Sequence, residues 1–371
     1  MTSAAFIFAG GGTGGHLFPG LAIVECIRTT APDADAIFIA SERRIDADIL
    51  KSSGERSITV PAKPFGVKPR ALASFLKSWG PSVRASRQVI RELKKNGREP
   101  VVAAMGGFVA PAVVQAARAD RVPVVMFNLD ATPGLANRWI AKRAQQVLTS
   151  YAIPRWPNAT RIPPIVRTEA IARDGAAACR ERMGLEPDAP TLAVLGGSQG
   201  ATTINRAMAA LVAHDEQSFA GWQVIHQSGT SDQTELAEAY ERAGIRAVVQ
   251  PFFGAVGDVW GAASLAIARA GAGTVAESWA NATPAIFLPY PHHRDHHQAA
   301  NAQPLVDRGG AVVIRDVMDA SENARSIVEA IRKIGGAEGL ESMASGLRSL
   351  GPANGADVAA DLLLHVGPRM C

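Results

Sequence analysis

The sequence predicts an α/β protein built from two doubly wound domains facing a shared cleft. Three observations carry this. Short apolar runs of strand length alternate with segments of helical period along most of the chain. A strand, a glycine-rich turn and a helix follow one another twice, at residues 10–16 and again at 196–201, once near the start of each half. The length, 371 residues, is enough for two full cores.

The elements can be justified in order. Phe6, Ile7 and Phe8 are bulky enough for a buried strand, and Leu17, Leu21, Ile23, Val24 and Ile27 recur behind them at near-helical spacing. Between stands GGGTGGH, residues 10–16, closed by His16. Pro19 is placed in the first turn of the following helix, where a missing N–H is tolerated. Such a turn exposes backbone N–H groups beside a positive helix end and suits a phosphate. The alternative is glycine used only for close strand–helix packing. Segment 70–98 carries Arg70, Lys77, Arg84, Arg87, Arg91, Lys94, Lys95 and Arg98 against one acid, Glu92, with Leu72, Phe75, Leu76 and Trp79 at helical spacing. That composition fits a helix on an anionic membrane surface; a packing helix with a solvated basic face is the alternative. Val101 to Ala104, then MGGF, then a helix to Ala119 form the next unit, and Val122 to Phe127 with a helix from Pro133 the one after. IPPIV, residues 162–166, reads as a linker. The domains are therefore expected at 1–163 and 164–349, with a helix of about 350–371 packing back on the first.

In the second half, Leu192 to Leu195 is a strand, GGSQGA the turn, and Ile204, Met208 and Leu211 mark the helix. Trp222 to His226, Ala247 to Val249, Leu265 to Ile267 and Ala285 to Leu288 are further strands. ARAGAGTVAES, residues 268–278, repeats the strand–glycine–helix device, and its Glu277 is placed to accept both hydroxyls of a ribose or to complement a helix dipole. Gln298 and Asn301, three apart, share a helix face and suit sugar hydroxyls, or cap a surface.

Several classes are excluded. No run of about 18 uncharged apolar residues appears, and the N-terminus lacks a basic signal-peptide region. Cys26, Cys179 and Cys371 are scattered and read as free thiols of a reducing cytoplasm. The net charge of +4 is too mild to suggest nucleic acid, and no binding module for it is present. Gly10, Gly12 and Gly15 fit G-x-G-x-x-G, but that spacing alone is weak evidence, and nicotinamide redox chemistry is the poorest of the alternatives. The histidines between His292 and His297 include i,i+4 pairs, but Pro291 disfavours a helix there and a solvated loop is preferred to a zinc site. Asp33 to Asp35 and Asp46 to Asp48 form D-x-D triplets and are read as solvated surface.

Taken in order, GGGTGGHLFPGLA, MGGF, PGLANRWIA, GGSQGA, the turn at 271–277 and HQAANA resemble the MurG family of peptidoglycan glycosyltransferases over most of the chain. The resemblance implies the GT-B fold, two Rossmann-like domains, and inverting, metal-independent transfer of N-acetylglucosamine from UDP-N-acetylglucosamine to the C4 hydroxyl of the muramoyl sugar of undecaprenyl-linked lipid I. It implies no cofactor and a peripheral position on the cytoplasmic face of the membrane. Residue by residue, it places Thr13, Gly14, Gly15, Asp130, Arg167, Ser198, Phe253, Ala272, Gly273, Thr274, Glu277, Gln298 and Asn301 on the donor. It places Gly14, Gly15, His16, Gly106 and Gly107 on the acceptor. His16, whose ordinary pKa suits a general base, is the first choice for that role or for the acceptor diphosphate, and Asp130 is the second choice for the base. Ser198 and Arg167 are expected to balance the leaving diphosphate. The chain departs from the family where His-Glu-Gln-Asn is usual, having Phe127, Asn128, Leu129 and Asp130, and where Gly-Asn-Pro is usual, having Pro163, Pro164 and Ile165. A different acceptor, or nucleotide-sugar binding without transfer, are the rival readings.

Overall fold

A computed structural model describes residues 4–196, 200–214, 219–230, 232–291 and 297–366. The chain forms two units, residues 1–167 with 354–371, and residues 168–353. The first contains β1 (Ala4–Ala9), α1 (Gly14–Thr30), β2 (Asp35–Ser41), α2 (Arg44–Ser53), β3 (Ser57–Val60), α3 (Pro69–Lys95), β4 (Glu99–Ala104), α4 (Ala110–Ala119), β5 (Val124–Asn128), α5 (Leu135–Ala141), β6 (Gln146–Thr149) and β7 (Thr160–Arg161). The second contains α6 (Ala176–Arg182), β8 (Thr191–Leu195), α7 (Thr202–His214), β9 (Gln223–Gln227), α8 (Gln233–Arg242), β10 (Ala247–Gln250), α9 (Val256–Ala262), β11 (Leu265–Ala268), α10 (Ala272–Ala280), β12 (Ala285–Phe287), α11 (His297–Asp307), β13 (Ala311–Val313), α12 (Ala320–Ile334) and α13 (Gly336–Arg348). The final helix, α14 (Gly355–Val366), returns to the first unit and packs on α1.

Both sheets are parallel, with strand orders β3-β2-β1-β4-β5-β6-β7 and β10-β9-β8-β11-β12-β13. The order reverses direction beside β1 and beside β8, so the loops leaving these two strands lie at topological switch points. Alternation along β1 explains the double covering. Phe6 and Phe8 face α1 and α14 with Leu17, Ile23 and Leu363, while Ile7 faces the side of α3 and α4 with Ile90 and Val113. In the second unit Leu192 and Val194 pack toward α7 and α12, and Ala193 and Leu195 toward α9 and α10.

Three expectations need correction. Helix α1 begins at Gly14, inside the glycine motif, so Pro19 lies in the helix interior rather than in its first turn. The 162–166 stretch, read as a linker, is packed into the first unit: Ile162, Ile165 and Val166 are buried, and Ile165 bridges Asn354 ahead of α14. The first unit therefore runs through Arg167 instead of ending at residue 163. Asp46, read as solvated surface, is 0% exposed, because it serves the glycine loop described next.

Candidate functional site

The first unit brings four loops to the carboxyl ends of β1, β2, β4 and β5. His16 sits in the first turn of α1, half-buried. Its Nδ1 lies 3.2 Å from the Gly11 carbonyl oxygen and 3.3 Å from Thr13 Oγ1. The MGGF loop walls the ring: a Cβ on Gly107, which has φ +73, would fall 2.9 Å from Nδ1, and one on Gly106 would fall 3.3 Å from Cδ2. Only glycine allows this approach. Burial lowers the His16 pKa, opposed in turn by the charge of Asp130, the Gly11 carbonyl and the charge of Asp46. The imidazole is therefore neutral near neutral pH.

Asp130 lies in the loop after β5. Its charge acts on His16 and, second to burial, pushes the Tyr151 phenol above its usual range. The loop is held by Asn128, which is fully buried: its Nδ2 donates to the Asp130 carbonyl at 2.7 Å and to Thr149 Oγ1 at 3.3 Å, and its Oδ1 accepts from Asn137 at 3.0 Å. The amide that stands where the family has a glutamate is thus a buried brace for the site. Arg167, expected in the second domain, belongs to the first unit, where its guanidinium lies 3.9 Å over the Phe18 ring of α1.

The sequence reading gave the first glycine turn a row of N–H groups open to a phosphate. Gly12 contradicts this. Its N–H donates to both oxygens of Asp46, at 2.9 and 2.8 Å, and Asp46 also accepts from the Ser41 N–H at 3.2 Å and its hydroxyl at 2.5 Å. An anion there would face a buried carboxylate. Gly14 is buried and Gly15 exposed at the start of α1.

The second unit holds the other expected residues. Ser198 and His292 to His296 lie outside the described residues, as does Cys371. Ala272, Gly273 and Thr274 open α10, with Gly273 exposed. Glu277, half-buried further along, accepts from Trp260 Nε1 at 3.0 Å, so one carboxylate oxygen has an indole partner. Phe253 is buried in the core, while Phe252 beside it is exposed. Gln298 Oε1 accepts from the Tyr290 N–H at 2.7 Å. Asn301, read as a sugar-facing amide, is fully buried and donates to the Ala270 carbonyl at 3.2 Å; it braces the loop before α10 from α11.

Two further networks escaped the sequence reading. Arg269 pairs with Asp316 at 2.7 Å and donates to Thr203 Oγ1 at 2.6 Å and the Leu288 carbonyl at 2.9 Å. Burial pushes Asp316 upward, but the bonds from Thr203, Arg269, Asn323 and the Met318 N–H outweigh it and hold the carboxyl below its usual range. Behind the second glycine turn, Asn205 Nδ2 donates to the Ser228 carbonyl at 2.7 Å and Asp232 at 2.8 Å, and its Oδ1 faces His226 Nε2 at 3.1 Å. His226 Nδ1 meets the Tyr240 hydroxyl at 2.9 Å. A residue such as Arg269, printed inside a glycine motif, is the one sequence cue to either network.

Helix α3 divides along its length. Arg87 and Arg91 pair with Asp120, and Lys94 donates to the Asp120 carbonyl. Near its start, Leu72 and Leu76 are exposed beside exposed Arg70, Lys77 and Arg84, with Phe65 and Val67 exposed just ahead. Phe65, Phe75, Trp79 and Trp139 make successive ring contacts. Among the described residues no helix is long and apolar enough to cross a membrane.

Comparison with known proteins agrees with this architecture. The glycosyltransferase family 28 N-terminal domain matches residues 6–149, and the family 28 C-terminal domain matches residues 191–348. The UDP-N-acetylglucosamine--N-acetylmuramyl-(pentapeptide) pyrophosphoryl-undecaprenol N-acetylglucosamine transferase of Desulfotalea psychrophila is 33% identical, with 88% of this chain and 87% of the relative covered. The protein of the same name from Acidothermus cellulolyticus is 36% identical, with 87% of each covered. The crystal structure of Acinetobacter baumannii MurG is similar in fold, with a TM-score of 0.73 at 23% identity over 98% of this chain and 100% of that one. With both family domains present in order and relatives similar across most of its length, the chain belongs to glycosyltransferase family 28, resembles its MurG members, and is a glycosyltransferase of the GT-B fold.

Proposed function

We propose that this protein transfers N-acetylglucosamine from UDP-N-acetylglucosamine to undecaprenyl-linked lipid I, giving lipid II, with inversion and without a metal. The relatives' names support the substrates. The observation that carries the chemistry is His16. Its Nδ1 faces a carbonyl, which only accepts, so Nδ1 bears the proton and Nε2 keeps its lone pair. A neutral imidazole with a basic Nε2 suits the removal of a proton from the acceptor C4 hydroxyl. The hydroxyl oxygen then bonds to the anomeric carbon as the bond to the UDP oxygen breaks, and the proton stays on Nε2. Asp130 stabilises the imidazolium that results. The UDP leaves as a diphosphate, for which Ser198, the N-terminus of the helix after Gly200 and Arg167 are the assigned partners. The exposed aromatic and basic start of α3 is assigned to an anionic membrane surface, on the cytoplasmic side.

Asn128 and Asp130 favour a second reading, a different lipid or glycoside acceptor, because the Asp130 charge acts on His16 and Asn128 holds the loop that carries it. Turnover of His16→Ala and Asp130→Asn tests the assignment. The expected result is a loss of about a hundredfold or more for His16→Ala and a smaller loss for Asp130→Asn. Near-wild-type rates for His16→Ala rule out the base, and the reverse ranking moves that role to Asp130.

A further inference from the structure

The Gly11–Gly12 peptide has two strong partners. Its carbonyl oxygen, on Gly11, lies 3.2 Å from His16 Nδ1. Its N–H, on Gly12, donates to both oxygens of Asp46. No peptide in the described chain is cis, and a trans peptide points its C=O and N–H in opposite directions. Asp46 and His16 therefore face each other across one peptide unit. Asp46 comes from the first turn of α2, 34 residues along the chain from Gly12, and is fully buried. Its own position is fixed by the Ser41 N–H and hydroxyl. The next carbonyl, Gly12 O, accepts from Arg43 Nη1 at 3.0 Å, and the Arg43 guanidinium stacks 5.0 Å from the Phe108 ring centroid. The loop is thus clamped on the side away from His16.

We propose that Asp46 is a positioning residue for the transfer reaction, acting on His16 through the Gly11–Gly12 peptide. The inference rests on the assignment of His16 as the base. It has two parts. By holding the Gly12 N–H, Asp46 aims the Gly11 carbonyl at Nδ1 and so fixes the tautomer with the lone pair on Nε2. By placing a carboxylate on the N–H, it polarises the peptide, makes the carbonyl a better acceptor and raises the basicity of Nε2. The arrangement does what a carboxylate does when bonded directly to a histidine, with one peptide interposed. At Gly12 the carboxylate occupies the N–H that a phosphate would take. The charged and polar groups that act on His16 are Asp130 after β5, the Gly11 carbonyl and Thr13 on its own turn, and Asp46 from the first turn of α2. The β4–α4 wall contributes only Gly106 and Gly107. Both charges act through space on the ring, and Asp46 acts in addition on the bond to Nδ1, so their removal has different signatures.

Nitrogen-15 NMR of His16, followed through its titration in the free full-length protein, reads both parts. In the wild type, Nδ1 is expected to carry the proton. Asp46→Asn keeps an acceptor for the Gly12 N–H and removes the charge. Its expected effect is a fall of the His16 midpoint by about half a pH unit or more, with the acid limb of kcat/KM shifted the same way and kcat reduced about tenfold at unchanged donor KM. Asp46→Ala is expected to lose the single tautomer as well. Ser41→Ala removes a donor that competes for Asp46 and shifts the midpoint upward. If the Asp46 variants do not fold, the Ser41→Ala direction decides: upward supports the relay, unchanged or downward overturns it. An unchanged midpoint and tautomer in folded Asp46→Asn also overturn it. The NMR result is independent of turnover. Full activity of His16→Ala removes the base while leaving the relay to be judged on the titration.

Discussion

His226 shows how one residue's surroundings fix its protonation. It is fully buried, with Tyr240 at Nδ1 and Asn205 at Nε2. Asn205 spends its amide N–H groups on Ser228 and Asp232, so its Oδ1 must accept from Nε2–H and the Tyr240 hydroxyl must donate to Nδ1. Burial pushes the His226 pKa down to about 3. Its unfolded pKa of about 6.5 is higher, so the unfolded chain binds the extra proton first. Stability is therefore full above about pH 6.5 and falls with pH between there and 3. His226→Gln is expected to flatten this fall, by about 3 kcal/mol between pH 7 and 4, in urea unfolding at a series of pH values. Equal slopes for the two proteins contradict the assignment. Asp46 carries the residue-scale lesson about what a sequence reveals. Asp46 and Asp48 are alike by local pattern, acids opening a helix after a strand. One is buried under Gly12 and the other pairs with Arg44 on the surface. Part of the difference comes from the Gly12 N–H, 34 residues away, which no local spacing records. Asn301 makes the same point: its helical position was legible, its carbonyl partner on Ala270 was not.

At the scale of elements, the ends of strands are tied by charges rather than by packing alone. Arg269 after β11 links Thr203 in α7, Leu288 after β12 and Asp316 after β13. Asp316 is completely buried and the Arg269 side chain only 11% exposed, so removing one partner strands the other. Arg269→Met is expected to destabilise the protein by about 3–5 kcal/mol, measured by denaturant titration; a change below about 1 kcal/mol contradicts a buried pair. Helix α3 makes the opposite use of charge, with exposed Leu76 (62%) among basic neighbours. Leu76→Glu is expected to leave the fold intact and to reduce flotation with anionic liposomes severalfold. Undiminished flotation removes the membrane assignment from this face. Strand and helix types were legible because burial on both faces imposes short, unbroken apolar runs on the strands. The start of α1 was not, since five glycines and Pro19 argue locally against a helix that tertiary contacts impose: a Cβ at Gly20 would meet the Phe38 ring at 3.0 Å.

For the whole molecule, two parallel sheets with the same reversal beside β1 and β8 set both glycine turns at switch points. The alternation of strand and helix made the doubly wound architecture readable. The burial of Ile162 and Ile165 was less so, because it depends on contacts between the two ends of a long chain segment. The family is equally visible in both halves, while the departures fall in the first unit, at Pro163 to Ile165 and in the Asn128–Asp130 loop, whose Asp130 charge acts on His16. Whether that loop still serves lipid I is the central question for function. The most direct measurement is to give the purified protein UDP-N-acetylglucosamine and lipid I in detergent, with a chelator present, and to follow product by mass. One added N-acetylglucosamine on lipid I, lost in His16→Ala, is the expected result. Free sugar without lipid product, or product only when a divalent metal is restored, contradicts the account.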